Sequence, residues 1–159
     1  MYEQCDARVQ RLGTPRECAI FERNARERTR EDLALQARHR WVELTADEHV
    51  GGEDDRDPLQ RELWEGLSAA EYVLGRAATG ARQIIRRRGL VRAVDQLVSK
   101  RDLSAGLAGL DDAGLLGYAW EHAVLRHPEV FSEAASLAAR AQLDEYELHK
   151  AEAGAPAAE

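Results

Sequence analysis

Residues 76–101 read RAATGARQIIRRRGLVRAVDQLVSKR. Leu90, Val91, Val94, Leu97 and Val98 fall one, three, three and one residues apart in turn, the spacing of an inward helix face. The same stretch carries Arg76, Arg82, Arg86, Arg87, Arg88, Arg92, Lys100 and Arg101, eight positive charges against Asp95 alone. Thr79-Gly80 interrupts it and Gly89 bends or breaks it, so the pattern implies two basic helices in succession. Three consecutive arginines step round a helix by about 100° each, so at least one of Arg86, Arg87 and Arg88 points away from any core.

The neighbouring sequence has the same period. Asp57-Pro58 reads as a helix cap and first helical residue. Leu59, Leu63, Leu67, Ala70 and Leu74 then make a wide apolar face, with Trp64 and Tyr72 beside it, on a helix expected to sit centrally and reach about Ala78. After Lys100 the small residues up to Leu110 read as loop. A helix capped by Asp111 or Asp112 runs through Leu115, Leu116, Tyr118, Trp120 and Val124 until Pro128 stops it. Ser132 caps a last helix to about Lys150, with Ala134, Leu137, Ala141 and Leu143 or Tyr146 turned inward.

Towards the start of the chain, a short helix from Glu3 to Leu12 ends at Gly13. Thr14-Pro15-Arg16-Glu17 has the spacing of a capping box. The apolar pattern lapses through RERTRED, where the chain is expected to turn at Thr29, with Thr29-x-x-Asp32 as a second capping signal. Leu33, Ala37, Trp41 and Leu44 carry a third helix from about Arg30 to Leu44. The fold class is therefore all-α, a bundle of about six to seven helices. Residues 1–45 form a small N-terminal helical subdomain and 46–57 an acidic linker. Residues 58–150 form a larger C-terminal bundle, and 151–159 a flexible tail.

Composition agrees with this. The 159 residues are 44% hydrophobic and 32% charged, with 6% aromatic and four prolines, a globular and helix-prone balance. A chain of this length buries enough surface to fold without staples. Cys5 and Cys18 stand alone, which suits small core residues of a reduced, cytoplasmic protein. No secretory leader is expected from MYEQCDARVQR, and no run of about 18 apolar residues exists to span a membrane.

Net charge is −7, which argues against indiscriminate binding to nucleic acid or anionic membranes. A local basic patch still acts, because charges are screened beyond about 10 Å. Twenty of the 22 cations are arginine, whose planar fork suits phosphates and carboxylates. The expected function is a non-enzymatic helical module that contacts an anionic partner, nucleic-acid backbone first, through Arg76, Arg82, Arg86, Arg87, Arg88 and Arg92. The competing reading is a solvated charged face, paired with the acidic linker or with Glu65 and Glu71. A second function class is a protein-interaction adaptor or homo-oligomeric regulatory subunit, and a third is a metal-dependent nuclease or hydrolase.

Chemistry-bearing motifs are missing. GxGxxG, GxxxxGK[ST] and GxSxG do not occur. His39, His49, His122, His127 and His149 are scattered without a metal-binding spacing. No catalytic residue, metal or cofactor is assigned from the sequence. Trp41, Trp64 and Trp120 are expected to be core anchors.

Overall fold

The Thr14 hydroxyl accepts from the Glu17 N–H at 3.2 Å, and the Glu17 carboxylate accepts from the Thr14 N–H at 3.2 Å. This reciprocal box opens the first long helix, with Pro15 in its first turn. The computed structural model describes residues 5–50, 57–100 and 106–155. Within them the chain forms α1 (Ala7–Gln10), α2 (Pro15–Glu27), α3 (Glu31–Asp47), α4 (Pro58–Leu74), α5 (Thr79–Arg88) and α6 (Leu90–Ser99). It continues as α7 (Leu107–Asp112), a 3₁₀ turn (Leu116–Tyr118), α8 (Trp120–Arg126) and α9 (Glu133–Gly154). No strand occurs among the described residues, so the protein is an all-helical bundle.

The turn expected at Thr29 is present, but Thr29 does not cap. It lies at φ 55°, and Arg30 is the N-cap of α3, without a side-chain hydrogen bond. Asp32 instead takes the Arg30 guanidinium in two hydrogen bonds of 3.0 and 2.9 Å. α2 and α3 then fold against each other over Ala25, Leu33 and Ala34, with Phe21 alongside.

α4 is the central element, in contact with α3, α6, α7 and α8. Asp57 caps it by accepting from the Leu59 N–H at 3.0 Å. Its Leu63 and Leu67 are buried with Val94, Val98, Trp120, Val124 and Phe131 in the main core. The Trp120 indole N–H donates to the Leu63 carbonyl at 2.9 Å. Gly66 makes that approach possible: a Cβ there would sit 2.5 Å from the indole ring. Trp41 and Trp64 are only half-buried, each with an aromatic partner: Tyr72 edge-on at 5.5 Å, and His49 stacked at 4.6 Å.

A second apolar cluster joins Val42 of α3 to Ala69 of α4 and to Leu110, Leu115 and Ala119. Beside it runs a buried polar network. Arg38 donates to Glu22 at 2.7 Å and to the Ala113 carbonyl at 3.0 Å, and the Tyr72 hydroxyl donates to the same Glu22 oxygen at 2.5 Å. Burial and that hydrogen bond push the Tyr72 phenol up to about 12, so it stays a donor. Helices from both ends of the chain therefore share core and buried charge.

Further expectations are corrected. The helix expected to start at Asp111 or Asp112 and run to Pro128 is instead the 3₁₀ turn and α8. Gly114 at φ 73° turns the chain before them, and α7 (Leu107–Asp112) is helical where loop and cap were expected. α9 buries Ala135 and Ala139 and half-buries Leu143 and Tyr146, but Ala134 and Ala141 are exposed and Leu137 is 62% exposed, so the alanine–leucine part of its inward face was misassigned. It also continues to Gly154, past the Lys150 end expected from sequence. The centre of the acidic linker, residues 51–56, the start of the loop after Lys100, residues 101–105, and the end of the tail, 156–159, lie outside the described residues.

Candidate functional site

α4 ends at Leu74 with Gly75 as its C-cap, and four residues after that cap α5 begins at Thr79 with no side-chain cap of its own. A helix start is an anion site, because its first N–H groups lack partners. Here the protein supplies the anion. The Glu71 carboxylate, 5% exposed, accepts from the Ala78 N–H at 2.8 Å and from Arg82 Nε and Nη2 at 2.8 Å each. The hydrogen bond to Glu71 raises the Arg82 pKa further, against the opposing effect of burial. Arg82 is thus half-buried and neutralised, and the helix start at Thr79-Gly80 is already occupied.

The remaining five of the six arginines are placed differently. Arg76, Arg86, Arg87, Arg88 and Arg92 are exposed, and none has an ion pair among the described residues. Arg86, Arg87 and Arg88 form the last turn of α5, where positive charge complements the carbonyl end of the helix dipole. Gly89 alone separates them from α6, whose first turn carries Arg92. Gly89 is at φ 84°, ψ 163°, a conformation essentially reserved for glycine, and it turns the chain between the two helices. The first turn of α6 has no side-chain cap, so this corner combines guanidinium groups with a helix start that no side chain covers.

Asp95, the one acid within residues 76–101, does not neutralise the corner. It accepts from the Ser132 N–H at 2.6 Å and from the Ser132 hydroxyl at 2.9 Å, fastening the start of α9 to α6. Elsewhere Arg8, Arg26, Arg30, Arg38, Arg40, Arg61 and Arg126 pair with carboxylates, whereas the exposed Arg11, Arg16, Arg23, Arg28 and Arg140 are, like the corner arginines, unpaired among the described residues; what sets the corner apart is four such arginines within seven residues.

Arg76 lies on the other side of α5, on the rim of a cavity of about 400 Å³ between α3, α4 and the α5 start. Arg82, Glu71, Trp41, Tyr72 and Thr45 also line it. The sequence reading missed this cavity, because its wall comes from helices 30 residues apart in the chain. Thr45, just beyond the Leu44 end expected for the third helix, is a buried residue of α3.

Among the described residues no three of His, Cys, Asp and Glu come together to hold a metal ion. Burial lowers the pKa of His39, of His49 (helped by Arg82) and of His122 (helped by Arg126), which favours their neutral forms. Burial pushes the Cys18 thiol up to about 11, far from a reactive thiolate. Glu121 is 1% exposed, and burial raises its pKa. Among the described residues, no helix is long and apolar enough to cross a membrane.

No family model, no curated protein and no solved structure matches the chain.

Proposed function

We propose that the protein is a non-enzymatic binding module of the cytoplasm that holds a polyanion, nucleic-acid backbone foremost, on the α5–α6 corner. The observation that carries this reading is the set of exposed guanidiniums at Arg86, Arg87, Arg88 and Arg92, unpaired among the described residues, around a one-residue turn. Arginine forks match phosphate oxygens bidentately, and uncapped helix N–H groups add to the same field. The inner face of α6 is committed to the core through Leu90, Val94, Leu97 and Val98. Contact with sugar–phosphate therefore fits better than readout of base edges. Arg82 contributes chiefly to the fold, and Arg76 faces a separate cavity.

The test compares two triple charge reversals of equal net charge in a polarisation titration against labelled single- and double-stranded oligonucleotides. Arg86→Glu/Arg87→Glu/Arg88→Glu is expected to lose at least about tenfold in affinity. Arg11→Glu/Arg16→Glu/Arg23→Glu alters exposed arginines that are also unpaired among the described residues, and it is expected to keep most of the binding. Equal losses in the two variants would reduce the effect to overall charge and remove the reading.

A second reading, protein docking or self-association, is favoured by α9. Its Leu137 and Leu148 are 62% and 60% exposed on a helix otherwise held by its other side. Light scattering separates the two: a monomer at all concentrations argues against self-association.

A further inference from the structure

The cavity between α3, α4 and the start of α5 has features that the packing of the bundle does not require. Its volume of about 400 Å³ falls within the range of small-ligand sites. One wall is aromatic: Trp41 and Tyr72 meet edge to face, with ring centroids 5.5 Å apart. A second wall is the Glu71–Arg82 pair. Arg82 donates to Glu71 through Nε and Nη2, and its Nη1 makes no hydrogen bond among the described residues. Thr45, 9% exposed, completes the lining.

The charges define the occupant. Glu71 cancels Arg82, and Arg76 on the rim is exposed and unpaired among the described residues. The lining therefore holds one surplus positive charge. Exposed Glu48, which acts on Arg82 through space, opposes a second negative charge.

We propose that this cavity binds a small planar ring carrying a single negative charge. The ring lies against Trp41 and Tyr72, and the anionic group meets Arg76 and Nη1 of Arg82, which makes no hydrogen bond among the described residues. Two sources share this chemistry: one nucleotide unit of a strand, with its phosphodiester, or a free aromatic carboxylate. The site is separate from the Arg86–Arg92 corner and does not depend on the reading given to it.

The experiment follows the indole N–H signals in ¹H–¹⁵N spectra, with Trp41→Phe identifying the Trp41 resonance. The probes are a dinucleoside monophosphate, an aromatic carboxylate, a neutral nucleoside and inorganic phosphate. Saturable shifts of the Trp41 signal with at least one ring-bearing anion are expected, and the tighter of the two names the source. The neutral nucleoside and phosphate alone are expected to bind about tenfold or more weakly, ~1.4 kcal/mol.

Arg76→Ala is expected to weaken the ring-bearing anion about tenfold with unchanged urea unfolding. A Trp41 signal unmoved by either ring-bearing anion, equal affinity for the neutral nucleoside, or indifference to Arg76→Ala overturns the proposal. Arg86→Glu/Arg87→Glu/Arg88→Glu leaves this binding intact. Oligonucleotide binding that persists after the cavity fails therefore leaves the corner reading standing, and the converse holds as well.

Discussion

Thr29 has a β-branched side chain at φ 55°, where Cβ crowds its own carbonyl, and the side chain is exposed. Thr29→Gly is therefore expected to stabilise the fold by about 0.5–1 kcal/mol, measured by urea unfolding. A loss of stability would mean that the threonine makes a contact worth more than its strain. Gly66 shows the opposite case. Alanine there gains about 1 kcal/mol of helix propensity but drives a methyl to 2.5 Å from the Trp120 ring. Overpacking costs about 1–3 kcal/mol, so Gly66→Ala is expected to destabilise on balance. A variant as stable as the parent would show that the indole moves freely, against its hydrogen bond to Leu63. Glu121 adds a pH dependence. Burial raises its folded pKa above 4.5, so its contribution is fully present below that value and is lost as pH rises through the folded pKa. Removing the titration in Glu121→Gln is expected to shift stability relative to the parent increasingly in the variant's favour as pH rises from the unfolded value through the folded pKa, and then to level off. A difference constant from about pH 4 upward contradicts it.

At the scale of elements, the α5–α6 joint is the most exposed to test. A Cβ at Gly89 meets nothing within 4 Å, so Gly89→Ala acts through backbone conformation alone. At φ 84°, ψ 163° that costs about 1–3 kcal/mol, or it re-angles α5. Either outcome appears in chemical unfolding or in the α5 amide shifts, and an unchanged protein would refute the turn geometry. Helix identity was legible wherever a cap and a bulky apolar face coincided, as in α2 behind its capping box and α4 behind Asp57-Pro58. It was poorly legible in α9. Alanines line several of its faces, so periodicity could not choose between Ala134–Ala141 and Ala135–Ala139, and the leucine that tipped the choice, Leu137, is exposed. α7 was read as loop because of its small residues, and the 3₁₀ turn and α8 were read as one helix because their apolar residues run on through Gly117; only the backbone shows the turn at Gly114.

At the scale of the molecule, a protein of net charge −7 gathers four exposed arginines, unpaired among the described residues, on one corner while pairing its buried Arg38 and half-buried Arg82 with carboxylates. The corner was legible because its four arginines lie within seven residues, on either side of a glycine. The neutralisation of Arg82 appeared in sequence only as a competing pairing with Glu71. Choosing it required knowing that α4 ends at Gly75 and returns that carboxylate to the α5 start. The aromatic cavity was invisible, since Trp41, Thr45 and Tyr72 meet only when α3 lies on α4. The most direct measurement is the salt dependence of oligonucleotide binding by the parent and by Arg86→Glu/Arg87→Glu/Arg88→Glu. Each phosphate contact contributes about −0.7 to −0.9 to the slope of log K against log salt, so losing three is expected to flatten it by about 2 to 3. Equal slopes for the two proteins, or binding indifferent to salt, would contradict an arginine corner that grips a polyanion.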